Sequence, residues 1–185
     1  MGIKSTGAWE QDIADTGHLF SYYLARWIAN YLPKDKKIID LGCGKGTYLG
    51  YLYDRGFRDL QGVEGSQLNN FEFTEIIVKD LSEPFNIGKG NVLCLEVIEH
   101  IPNEFAEIVF DNICNHVDKG CKAIISCAIV GQGGDGHVNC QPNLWAISNM
   151  ERRGFKLLCD DTQSARDVIE NHCAYFKETL LIFGR

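Results

Sequence analysis

The apolar positions of the chain first recur with a helical period. Between residues 15 and 32, Leu19, Tyr22, Tyr23, Arg26, Trp27 and Tyr31 follow at three- and four-residue intervals, predicting an amphipathic helix stopped by Pro33. The pattern then shortens. Lys37-Ile38-Ile39-Asp40-Leu41 has the form of a short buried strand, and residues 60–64, 76–79, 91–96 and 123–128 repeat that form. Helical stretches at 47–55, closed by Gly56, and at 103–116 separate several of these strands. Such alternation predicts an α/β fold, a doubly wound, mostly parallel sheet with helices on both faces. Near the C-terminus, residues 155–159 and 175–183 read as strands around the polar stretch 160–171, which holds a short helix at 164–169. The last strand is expected to pair antiparallel at one edge.

Composition narrows the picture. No Pro-, Gly- or Ser-rich linker interrupts the 185 residues, so one domain over 1–185 is expected. Hydrophobic residues at 45% and charged residues at 23% are those of an ordinary soluble globular protein. The apolar runs at 123–126 and 180–183 are strand-sized, too short to span a bilayer, and residues 1–7 lack the apolar core of a secretory signal. The expected location is therefore the cytoplasm. Eight cysteines are scattered without a C-x-x-C pair, which makes them reduced core residues rather than a disulfide or zinc framework. A net charge of −7 disfavours binding along a nucleic-acid backbone and leaves a small molecule as the simpler partner.

The most informative segment is Asp40-Leu41-Gly42-Cys43-Gly44-Lys45-Gly46-Thr47, three glycines at alternate positions between a strand and a helix. Glycines at such a turn tolerate positive φ and let backbone approach a ligand, and the helix start offers free N–H groups. By itself the turn could be a tight structural loop. It lacks the Gly-Lys-Ser/Thr string of a P-loop, and Thr47 stands where a dinucleotide fingerprint needs its third glycine. Nucleoside triphosphate binding and a dinucleotide-dependent oxidoreductase are both disfavoured. The string Asp-x-Gly-x-Gly-x-Gly instead resembles the first motif of class I S-adenosylmethionine-dependent methyltransferases.

The acidic residues that follow extend this resemblance. Glu64 ends the second strand, where a carboxylate can accept both ribose hydroxyl hydrogens, and Asp80 ends the third, matching the family's acidic residue near the adenine amino group. Leu95-Glu96-Val97-Ile98-Glu99-His100-Ile101-Pro102 is similar to the Glu-Val-Leu-Glu-His string of ubiquinone-type O-methyltransferases. The resemblance covers roughly residues 37–128. It implies that Asp40, Gly42, Cys43, Gly44, Gly46, Glu64, Gly65, Asp80, Leu81, Glu96 and Val97 hold S-adenosylmethionine. It also implies that residues 1–34 form an arm and helix over the cofactor mouth, with Trp9 and His18 as candidate pocket residues.

Methyl transfer to oxygen needs alignment and a base near neutrality. Two histidines are candidates, each with a structural alternative. His100 follows the cofactor strand, where Glu99 could orient it; His137 lies in the glycine-dense stretch 130–139, which can serve as an acceptor wall together with Asn139 or be a plain surface turn. His18, His100, His137 and His172 show no metal-ligand spacing in sequence, so no metal is expected. These readings converge on O-methylation of a small hydroxylated metabolite or sugar. A non-catalytic cofactor-binding module and, further off, a nucleic-acid methyltransferase are the alternatives, and C-methylation stays open.

Overall fold

A computed structural model describes residues 4–7, 20–66 and 76–185. In chain order the elements are α1 (Tyr22–Tyr31), β1 (Ile38–Leu41), α2 (Thr47–Asp54), β2 (Leu60–Glu64), β3 (Ile76–Val78), β4 (Asn91–Cys94) and α3 (Ala106–His116). They continue with β5 (Ala123–Ile125), α4 (Asn143–Glu151), β6 (Lys156–Leu157), α5 (Cys159–Asp167), α6 (Phe176–Thr179) and β7 (Leu181–Gly184). The strands form one seven-stranded sheet in the order β3-β2-β1-β4-β5-β7-β6. β1 to β5 run parallel, and β7 returns antiparallel to β5 with Ala123 opposite Phe183 and Ile125 opposite Leu181.

The expected doubly wound sheet with its antiparallel C-terminal strand is thus present. Beyond β7, the two-residue β6 forms the outermost edge, short enough to offer little for a foreign strand to pair with. Successive side chains of a strand face opposite sides of the sheet, and burial follows that period. Ile39, Val92, Cys94, Ala123, Ile125 and Phe183 pack beneath α3 and α4, against Val109, Phe110, Ile113 and Met150. Their neighbours Ile38, Leu93, Ile124 and Ile182 pack on the other face against Leu24 and Ile28 of α1 and Leu49 and Leu52 of α2. Both faces are covered, which is why β1 reads as an apolar run interrupted only by Asp40.

Several element boundaries differ from the sequence pattern for local reasons. The first helix starts at Tyr22: Ser21 is extended and its Oγ accepts the Leu24 N–H at 3.1 Å, a side-chain N-cap. Residues 15–19 of the expected helix lie outside the described residues. At the C-terminal end, α5 begins at Cys159, earlier than the short helix expected at 164–169. The strand expected over 175–183 is shortened by α6, where Thr179 donates both its N–H and its Oγ1–H to the Tyr175 carbonyl. An apolar run of that length does not separate strand from helix by periodicity. α4 has no counterpart in the sequence reading; its apolar residues do not form a clean stripe, and its start is marked only by Pro142.

Candidate functional site

The strand order reverses between β1 and β4, and ligands of open α/β sheets bind outside the carboxyl ends of strands at such a crossing. The turn after β1 and the segment after β4 face one another there. Gly42, Gly44 and Gly46 all take left-handed φ, at 76°, 51° and 70°. Gly42 is also a close approach, since a Cβ on it would lie 2.4 Å from Val97 Cγ2. The Gly42 and Cys43 N–H groups both donate to the Val63 carbonyl, which ties the turn to β2. Gly46 caps α2 without a side chain and leaves that helix start open to a ligand.

Glu64 closes this half of the site. Its Oε2 accepts the Gly44 N–H at 2.9 Å and its Oε1 the Gly65 N–H at 2.7 Å. Asp40, fully enclosed behind the turn, has its carboxyl pushed up to about 7 by burial and then by the charge of Glu64. Asp80 lies two residues past β3, where its Oδ1 accepts from the Ser82 N–H and Oγ–H. Burial pushes its carboxyl upward, but hydrogen bonds from Ser82 and Thr6 and the Lys4 charge outweigh this and hold it below the usual range. Leu81 beside it is buried, and its carbonyl accepts from Asn112. The N-terminal residues reach the same rim: Lys4 Nζ donates to the Gly65 carbonyl at 3.1 Å, and Gly7 leaves no room for a Cβ against the His100 carbonyl.

The other half is built after β4. Glu96 has φ 55°, the sole left-handed non-glycine among the described residues, and its N–H donates to Ser126 Oγ at 2.7 Å. Holding a residue with a side chain in this region costs about 1 to 3 kcal/mol, which the surrounding structure has to offset. A short 3-10 turn, Ile98–His100, then buries Glu99 completely. Neither Glu99 oxygen, nor Glu96 Oε1, makes a hydrogen bond of ordinary geometry. Burial pushes both carboxyls up, Glu99 further because the Glu96 charge adds to it, so the pair favours holding a proton between them.

The glycine-dense loop after β5 folds onto this turn. The Val138 and Asn139 N–H groups both donate to the Glu99 carbonyl at 2.9 Å. His100 Nδ1 lies 3.3 Å from the Gly136 carbonyl. The rings of His100 and His137 meet edge to face with centroids 4.9 Å apart. Gly134 permits this, because a Cβ there would lie 2.2 Å from His137 Nε2. Asn139, expected beside the acceptor, is buried instead: its Nδ2 donates to the Ile101 carbonyl and its Oδ1 accepts from Gln141. Its role is to pin the loop. Trp9 and His18 lie outside the described residues, and His172 is exposed on the 3-10 turn Asn171–Cys173.

A methyltransferase-domain family model matches residues 15–159. The chain belongs to the class I S-adenosylmethionine-dependent methyltransferases. No curated protein sequence matches this methyltransferase. Among solved structures, a TehB-like S-adenosylmethionine-dependent methyltransferase from Corynebacterium glutamicum is 22% identical with TM-score 0.64, over 95% of this chain and 93% of that one. A sugar N-methyltransferase from a Streptoalloteichus species is 16% identical with TM-score 0.66, over 89% and 87%. Magnesium protoporphyrin IX methyltransferase from Synechocystis is 18% identical with TM-score 0.64, over 95% and 83%. At such identities the structures speak for the fold.

The methyltransferase is an enzyme whose cofactor is S-adenosylmethionine. Among the described residues no helix is long and apolar enough to cross a membrane. The sequence pointed to both halves of the rim but missed the joint between them. Glu99 stood out as a member of the Glu96–His100 string and as a residue that could orient His100, but nothing in the sequence tied it to residues 137–139.

Proposed function

We propose that this methyltransferase transfers a methyl group to an oxygen of a small hydroxylated acceptor, a metabolite or sugar, with His100 and His137 at the methyl exit. The observation that carries the reading is the imidazole pair, with ring centroids 4.9 Å apart, next to Glu99 in the segment that follows β4. In-line displacement at a sulfonium methyl requires alignment of three atoms, and an oxygen nucleophile additionally has to lose a proton. An imidazole titrates in the right range for that task. Asp40, Gly42, Cys43, Gly44, Gly46, Glu64 and Gly65 would hold the amino-acid and ribose parts of the cofactor, with Asp80 and Leu81 at the adenine and Glu96 and Val97 beside the sulfonium. The net charge of −7 supports a small acceptor over a nucleic acid.

The test begins with calorimetric titration of S-adenosylmethionine, S-adenosylhomocysteine and NADH. Binding of the first two alone is expected, followed by a screen of phenols, sugars and amines with methyl-labelled cofactor. Labelling of amines but not hydroxyls, or cofactor binding without turnover on any acceptor, would defeat the O-methylation reading.

A further inference from the structure

The fold assembles a group of side chains that the sequence keeps apart. One ligating atom from each of Glu99, His100 and His137 lies within 4.8 Å of the others. Glu99 is wholly buried and neither carboxylate oxygen makes a hydrogen bond of ordinary geometry, a costly arrangement for a polar group unless something occupies the space it faces. We propose that Glu99, His100 and His137 bind a divalent transition-metal ion beside the methyl-transfer centre. The role given to the ion rests on the O-methyltransferase reading above; the site itself does not.

The donor set decides the class of ion. Two imidazoles and one carboxylate suit Zn²⁺, Mn²⁺, Fe²⁺ or Co²⁺, whereas Mg²⁺ and Ca²⁺ favour oxygen alone. Three ligands from one side leave coordination positions open for a water or an acceptor. The surroundings have the form of a second shell. His100 Nδ1 lies 3.3 Å from the Gly136 carbonyl, which can accept its hydrogen, and His137 Nδ1 lies 3.7 Å from Cys140 Sγ. Metal–ligand bonds of about 2.0 to 2.2 Å place ligand atoms roughly 3 to 3.5 Å apart, so occupation draws the group together by less than about 2 Å. His137 is the least buried of the three, on a loop that turns at Gly131 and Gly136, both in the left-handed region. The two backbone bonds from Val138 and Asn139 to the Glu99 carbonyl hold the loop in register meanwhile.

With the ion in place, an acceptor hydroxyl entering an open position loses its proton to solvent through the histidine-lined rim. The resulting oxyanion forms the O–CH₃ bond as the S–CH₃ bond breaks, and that bond's electron pair stays on sulfur to give S-adenosylhomocysteine.

The test titrates chelator-treated protein with Co²⁺, following visible d–d absorption and calorimetry, with Zn²⁺ and Mn²⁺ as competitors. One equivalent is expected to bind and to be displaced by Zn²⁺. His137→Ala and Glu99→Gln are each expected to lower Co²⁺ affinity by at least about tenfold, while thermal unfolding confirms that each variant is folded. Absence of saturable binding of all three ions, or binding that survives both substitutions, would overturn the site and leave the two histidines as a metal-free base. S-adenosylhomocysteine titrated into the same metal-free protein tests the cofactor reading separately: its failure would remove the role assigned to the ion without touching the Co²⁺ result.

Discussion

The two halves of the carboxyl rim solve the problem of buried carboxylates in opposite ways. After β1 and β2, both oxygens of Glu64 are met by backbone N–H groups of Gly44 and Gly65, so the charge is accommodated by the chain itself. After β4, Glu96 Oε1 and both oxygens of Glu99 are buried without such partners. The first half therefore satisfies its carboxylate before any ligand arrives, whereas the second leaves three buried oxygens for the proton or the cation proposed above. A site that must orient a cofactor gains from being preorganised, and a site that must exchange protons or ions gains from being incomplete.

The largest effect expected of this contrast is on pH dependence. Folding raises the Asp40 carboxyl from 3.8 to about 7, so the folded protein holds a proton that the unfolded chain has already lost in that interval. The cofactor-free protein should be most stable below the lower value, lose about 4 kcal/mol as pH rises through the interval, and level off above it. Denaturant unfolding across this range is the measurement, and Asp40→Asn should remove the slope.

Gly42→Ala comes next. A left-handed residue with a side chain costs about 1 to 2 kcal/mol and a forced contact in a packed site a similar amount again; here the new Cβ would lie 2.4 Å from Val97 Cγ2. A loss of about 2 to 4 kcal/mol in denaturant unfolding, with weaker S-adenosylhomocysteine binding, is expected; unchanged stability would mean that the two halves do not meet as tightly as this contact shows.

The comparison itself is broken or upheld by one substitution made on each side. Glu64→Gln replaces a carboxylate that serves two N–H donors and should destabilise the metal-free protein by about 1 to 3 kcal/mol. Glu99→Gln replaces a carboxyl that meets no N–H donor at ordinary geometry and should leave stability unchanged or raise it. Calorimetric melting of the two variants together would reveal effects of the same sign if the halves were alike. The smallest stability effect belongs to Gly134→Ala. The loop is open to solvent, so the melting temperature should hardly move, but the 2.2 Å approach to His137 Nε2 should displace that ring. Reduced turnover at unchanged S-adenosylhomocysteine affinity would show it, and full turnover would mean that His137 has no part in the reaction.

What could be read from the sequence depended on whether its cause was local. The alternation of short apolar runs with helical stripes foretold the parallel sheet, because burial of both faces leaves an unbroken apolar signature such as Ile38-Ile39 in β1. The glycine turn was legible for the same reason: positive φ at Gly42, Gly44 and Gly46 is a demand of the turn's own backbone. The C-terminal third was harder, since α4 has no clean stripe and the run 175–183 divides into a helical turn and a strand only because Thr179 bonds back to Tyr175. Glu99, His100 and His137 could each be picked out, but not as a group. Their meeting depends on the Val138 and Asn139 N–H groups finding the Glu99 carbonyl and on Asn139 anchoring to Ile101, contacts between segments that only the assembled sheet brings side by side. The sequence by itself determined the sheet, the glycine turn and the order of the acidic residues along the rim; tertiary structure alone decided which of those carboxylates are satisfied, because a buried oxygen's partners come from whatever the fold places against it.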